Sequence, residues 1–164
     1  MTVDIRGAMR NFATGVCVAT TYSEGPGGRR DDAITINSLT SVSLDPPLVS
    51  MCLRHDSRFL ADVLEVKAWA VSILDAGTED IARALAKDRD VRDVVVQTLS
   101  ATRGKHTGAL VLDSPSWMEC ALRDLLVIGD HSMIIGEVLD MSVQDRRPPL
   151  IFLHGKFYTL SNTA

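Results

Sequence analysis

The sequence predicts a mainly β protein, an antiparallel barrel with a few inserted helices, on three observations. Short apolar segments rich in β-branched residues recur along the chain. Most links between them are of hairpin length, and the helical stretches are inserted between strands rather than alternating with them. About seven or eight strands and two or three helices follow from this pattern, which is unlike a doubly wound parallel sheet.

Residues 5–13 place Ile5, Ala8, Met9, Phe12 and Ala13 at helical spacing, and Thr14-Gly15 supplies a stop. Residues 16–22 are rich in β-branched side chains and run into the Gly- and Pro-rich residues 23–28, read as turn throughout. A hairpin into residues 33–37 is therefore expected. At Asp45-Pro46-Pro47 two amide donors are withheld, which predicts an extended, edge-like connection into a buried strand over 48–53. Phe59, Leu60, Val63, Leu64 and Val66 then mark one face of a short helix capped by Asp56 or Ser57.

Residues 68–74 read as a strand and 78–87 as a helix, with Glu79 and Asp80 in the first turn where they complement its dipole. Residues 88–109 are polar and predict a partly helical segment followed by an exposed loop through Arg103-Gly104-Lys105-His106. Over 117–126, Met118, Cys120 and Leu122 alternate with Glu119, Ala121 and Arg123, the period of a strand. Strands over 132–140, 150–153 and 156–160 complete the chain, linked by Gly129-Asp130 and by residues 146–149.

A chain of 164 residues is expected to form one domain over 1–164. Its net charge of −4, with no basic stripe carrying interleaved aromatics, argues against nucleic acid as a partner. The longest apolar runs, such as residues 48–53, fall far short of the roughly 20 residues of a membrane helix, so no membrane partner is expected. The first residues carry charge early, unlike a secretory signal, and a cytoplasmic location is expected. Cys17, Cys52 and Cys120 are odd in number and widely spaced, which suits reduced thiols. His55, His106, His131 and His154 lack a second His or Cys at metal-ligand spacing, so no metal site is expected.

The densest polar stretch is residues 35–49. Thr35, Asn37, Ser38, Ser41 and Ser43 stand beside an apolar strand and suit the polar edge of a ligand, although the same groups can cap their own loop backbone. Arg54-His55-Asp56-Ser57-Arg58 lies where a strand turns into a helix, and free amides beside an Arg fork make an anion site there. No GxGxxG and no Walker-type loop is present, so a nucleotide would bind without them. Cys52 also reads as a small buried hydrophobe, and Phe157 and Tyr158 as core aromatics.

Taken in order, residues 9–16, 35–49, Ser57-Arg58, Gly129-Asp130-His131, Pro149-Leu150-Ile151-Phe152 and Gly155-Lys156-Phe157-Tyr158 resemble the flavin reductase-like family, the FMN-binding split barrels that serve two-component monooxygenases. The resemblance spans nearly the whole chain. It implies an antiparallel split β-barrel, FMN or FAD as cofactor, NADH or NADPH as hydride donor, a homodimer, and delivery of reduced flavin to a separate monooxygenase. It further implies that Thr35, Ile36, Asn37 and Ser38 line the isoalloxazine ring and ribityl chain, with the strand carrying Ser50, Cys52 and Arg54 beneath the ring. Ser57 and Arg58 would meet the flavin phosphate. His131 would lie over the flavin and orient the nicotinamide, with His154, Lys156 and Tyr158 beside that second nucleotide.

The implied chemistry is physically sound, because reduction places negative charge near N1 and C2=O of the flavin, where amides and hydroxyls stabilise it. The chain departs from the family at Asp32-Ala33, where a glycine is common. Leu110 and Ser114-Pro115 also replace the usual proline and glycine before Trp117. These departures bear on how the loop approaches the ring and on substrate access. The alternative reading is a flavin-binding split barrel without reductase turnover, a flavin-dependent oxidase or a flavin carrier.

Overall fold

The computed structural model describes residues 3–160; residues 1–2 and 161–164 of the expected domain lie outside the described residues. Helix α1 (Ile5–Met9) precedes β1 (Thr14–Gly15) and the hairpin of β2 (Cys17–Gly25) with β3 (Gly28–Ile36). A second hairpin, β4 (Thr40–Leu44) with β5 (Pro47–Arg54), is followed by α2 (Arg58–Val66), β6 (Ala68–Ile73), α3 (Glu79–Leu85) and α4 (Arg89–Val96). Then come β7 (Ala101–Arg103), β8 (Leu110–Leu112), the long β9 (Ser116–Ile128) and β10 (His131–Val143), and finally β11 (Ile151–Leu153) and β12 (Lys156–Tyr158). Seven strands pair in the order β3-β2-β6-β9-β10-β5-β4; β1, β11 and β12 form a small sheet, and β7 and β8 a separate pair.

The period of two along each strand sorts side chains onto opposite faces. Cys17 and Ala19 of β2, Ile36 of β3, Met51 of β5, Trp69 of β6, Cys120 of β9 and Ile134 of β10 meet Phe59, Leu60 and Val63 of α2 in one buried cluster. Residues from β3 at one edge of the seven-stranded sheet and from β5 next to the other share that core, so the sheet curls around it as the split barrel expected. The other face of β2 is also covered: Val18, with Val16 just before the strand, packs with Leu74, Ala82, Leu85, Val96 and Leu150. Burial on both faces is the reason residues 16–21 read as an unbroken run rather than an alternation. Gly136 admits the Trp69 ring, since a Cβ there would lie 2.6 Å from Trp69 Cζ2 and 2.9 Å from Cys120 Cβ.

Several elements differ from expectation. The turn expected over 23–28 is only Pro26-Gly27, because Ser23, Glu24 and Gly25 pair with Arg30, Arg29 and Gly28; a two-residue loop lets the ladder run to its end. Asp45-Pro46-Pro47 makes a tight hairpin instead of an extended link, with Leu44 opposite Pro47. Pro47 is the first residue of β5, where a missing donor is tolerated. Residues 88–109 contain α4 and β7, and the loop after β7 is held by a buried carboxylate: Glu119 Oε1 accepts from the amides of His106 (3.1 Å) and Thr107 (2.8 Å) and from the Thr107 hydroxyl (2.7 Å). That long-range anchor left no mark in the local sequence. Helix α1 ends at Met9 rather than Ala13, and none of its residues is buried.

Candidate functional site

Three clefts meet just beyond the end of β3. One, of about 400 Å³, is lined by Ile34, Thr35, Ile36, Asn37 and Ser38, by Cys52, Leu53, Arg54 and Ser57, by Leu85, Ala86, Lys87 and Arg92, and by His131. A second, of about 620 Å³, runs between the N-terminal segment (Arg6, Met9, Arg10, Phe12, Thr14) and the β11–β12 hairpin (Phe152, Leu153, His154, Gly155), reaching Asn37 and His131. The third, of about 700 Å³, is mostly apolar, with Met9, Phe12, Ala13, Cys17, Leu39 and Ile73 beside Asn37, Ser38, Thr40 and Cys52. Asn37 belongs to all three and His131 to the first two. The clefts are therefore one continuous groove with an apolar end, a polar middle and a cationic end.

Local hydrogen bonds explain why residues 35–38 hold their shape. The Thr35 hydroxyl donates to the Ala82 carbonyl at 2.7 Å, tying β3 to α3. Ser38 Oγ accepts from the Cys52 amide at 3.1 Å and donates to the Cys52 carbonyl at 3.3 Å, so the segment after β3 is pinned to β5. Ile36 turns its side chain into the core. With both hydroxyls engaged, the Asn37 amide is the polar side chain of this stretch left facing the groove.

His131 is placed by the register of β10, which sets it opposite Arg54 of β5. Its Nδ1 lies 2.8 Å from Asp130 Oδ1, and this contact holds the Asp130 carboxyl below the usual carboxylate range. An ionised carboxylate only accepts, so Nδ1 carries a proton in the neutral ring and Nε2 is left as an acceptor. The turn beneath is braced by His55, whose Nε2 donates to the Gly129 carbonyl at 2.9 Å while Nδ1 meets Ser132 Oγ at 2.9 Å. Arg54 forms a double hydrogen bond with Asp56 at 2.9 and 2.8 Å, which lowers the Asp56 carboxyl as well.

Of the residues singled out in the sequence, Thr35, Ile36, Asn37, Ser38, Cys52, Arg54, Ser57 and His131 come together on one cleft, and His154 lines the adjoining one. Ser57 also caps α2, accepting from the Leu60 amide at 3.4 Å. Ser50, Arg58, Lys156 and Tyr158 line none of the three clefts; Ser50 is buried in β5, and the other three are exposed. His154 and Gly155 form the two-residue loop of the last hairpin, with φ of 52° and 74°, the positive values such a turn demands.

Sequence reasoning missed Lys87 and Arg92, the bracing role of His55 and the groove-facing role of the N-terminal segment. Ile5, Met9 and Phe12 are 67%, 53% and 62% exposed, and the last two line the groove instead of a core. A helical apolar stripe carries no mark of which partner it faces.

The family model described as the flavin reductase like domain matches residues 9–161. This chain belongs to that family. A relative in Streptomyces globisporus, an NADH-dependent FAD reductase, is 34% identical over 157 residues, covering 94% of this chain and 84% of the relative. Two longer Rhizobium meliloti relatives are matched over only 41% and 56% of their lengths. Among solved structures, BorF, the flavin reductase component of a bacterial two-component tryptophan halogenase, is 36% identical with a TM-score of 0.86, covering 96% of this chain and 97% of that one. The Streptomyces globisporus NADH:FAD oxidoreductase, solved with NAD and FAD fragments, is 32% identical with a TM-score of 0.87 and covers 100% of this chain and 99% of its own.

Proposed function

We infer that this chain is an NAD(P)H:flavin oxidoreductase, one flavin reductase-like domain whose reduced FMN or FAD is used by a separate monooxygenase. The observation that carries the reading is the junction of the clefts at Asn37 and His131, which gives two nucleotides adjoining places in one groove. The donor set fits a flavin. Met9, Phe12, Leu39 and Ile73 suit the xylene end, Asn37 the polar pyrimidine edge, and Lys87 with Ser57 a phosphate. The Thr14 hydroxyl, buried without a protein partner at the seam of two clefts, is a further group for a ligand to satisfy.

When bound, flavin and nicotinamide supply the hydride chemistry between them, and no protein base is required. The chain's own residues bind and orient. Thr35, Ile36, Asn37, Ser38 and Cys52 form the flavin wall, with Arg54 and Ser57 toward its tail. His131, aligned by Asp130 and braced by His55, together with His154, positions the nicotinamide from the other side.

The reading includes a homodimer and a cytoplasmic location. Leu44, Val127 and Val143 are 89%, 70% and 71% exposed on strands that a second copy would cover; a single-chain mass by light scattering at micromolar concentration would reject the dimer. The function itself is tested by mixing the protein anaerobically with FMN or FAD and then NADH or NADPH. Bleaching of the oxidised flavin well above the protein-free rate is expected. A rate equal to that control, with flavin bound, would instead indicate a carrier.

A further inference from the structure

We propose that Asp32 and Arg92 are positioning residues for the phosphate-bearing end of the flavin, acting through the turn that carries Lys87. The proposal rests on the reductase reading above and concerns which flavins it favours. Arg92, on α4, directs Nε and Nη2 to the Asp32 carboxylate at 3.1 and 3.0 Å, while Nη1 donates to the Lys87 carbonyl at 3.0 Å. Asp32 is fully buried on β3. Arg89 stands beside this pair, with Nη2 2.8 Å from Asp62 and Nε 3.8 Å from Asp32.

Two carboxylates therefore balance two guanidiniums, and Arg92 is spent as a cation although it lines the cleft. Arg54 is likewise occupied by Asp56. Lys87 lines the same cleft and, among the described residues, has no carboxylate at ion-pair distance. It is the cation left for a phosphoester in that part of the groove. A lysine is a point charge on a flexible stem, so its aim depends on where its backbone is held. The third donor of Arg92 holds that backbone, and the planar guanidinium can do so only because Asp32 fixes its other edge.

The test measures kcat/KM for FMN and for riboflavin with NADH, and uses their ratio, which cancels losses common to both flavins. Wild type, Lys87→Ala, Arg92→Lys and the double variant are compared. Lys87→Ala and Arg92→Lys should each lower the ratio by roughly tenfold or more, the scale of one charge-assisted hydrogen bond. The double variant should match Lys87→Ala alone, because Arg92 acts through Lys87. Equal losses for both flavins in Arg92→Lys, multiplying losses in the double variant, or a wild-type ratio in Lys87→Ala would each overturn the proposal. If Arg92→Lys does not fold, Asp32→Asn takes its place in the same comparison. Wild-type turnover of FMN and riboflavin at equal efficiency would defeat the proposal while leaving the reductase reading intact; turnover of neither would defeat that reading itself.

Discussion

Ser38 and Cys52 exchange two hydrogen bonds through a single hydroxyl, at 3.1 and 3.3 Å, and this contact fastens the groove-lining segment after β3 to β5. Substituting Ser38→Ala would leave the Cys52 amide and carbonyl unpartnered in a part-buried setting. The expected cost is about 1–3 kcal/mol of stability, with weaker binding of FMN and riboflavin alike because the segment, and not the phosphate end, is loosened. Urea denaturation and flavin titration check both parts; wild-type values in either would refute the structural role given to this hydroxyl.

A second expectation concerns packing. Gly136→Ala places a methyl group 2.6 Å from the Trp69 ring, against a ring that is fully buried. Overpacking of this kind costs about 1–3 kcal/mol. The near-ultraviolet signal of Trp69 should change along with the unfolding midpoint. An unchanged midpoint would mean that the barrel yields there more easily than its packing indicates.

The three thiols should separate by reactivity. Burial pushes Cys17 and Cys120 from 9.0 to about 12, whereas Cys52 is half-buried on the groove. One thiol per native chain is therefore expected to react with a thiol reagent near pH 8, and bound flavin should slow it. Groups whose folded pKa is raised contribute stability that is intact below the unfolded value and lost as pH rises through the folded one. Alkaline weakening between pH 9 and about 12 follows from Cys17 and Cys120. Labelling of two or more thiols in the native protein would contradict this picture.

At His131 the two nucleotides should part company. If the ring orients the nicotinamide over a flavin held by the wall from Thr35 to Ser38, His131→Ala should bind FMN with nearly native affinity. It should also raise the apparent constant for NADH and slow flavin reduction, tenfold for about each 1.4 kcal/mol of lost transition-state positioning. Stopped-flow reduction of the bound flavin measures the step. Native rates in the variant would remove His131 from the site; loss of flavin affinity with loss of stability would make it a structural residue.

Much of this molecule was legible in one dimension. The alternation of Met118, Cys120 and Leu122 marked β9, the Gly- and Pro-rich residues marked the first hairpin, and Asn37 and Ser38 stood out in the densest polar stretch, whereas His131 was singled out only by the resemblance to the flavin reductase-like family. These features are local: side-chain period, turn chemistry and capping act over a few residues and leave their signature there. The groove is another matter. Arg92 reaches Asp32 across 60 positions, the His154 amide bonds to the Arg10 carbonyl, and the turn at Lys87 is held by an Arg92 whose other edge is fixed from β3. Such contacts form only when the sheet has curled and the segment around Arg10 has met the last hairpin, and the energy that selects them is the burial and pairing of groups whose partners are set by topology. Residues such as Arg58 and Lys156 look equally suited in sequence to bind an anion, yet only the packing of α4 against β3 directs Lys87, and not them, toward the cleft.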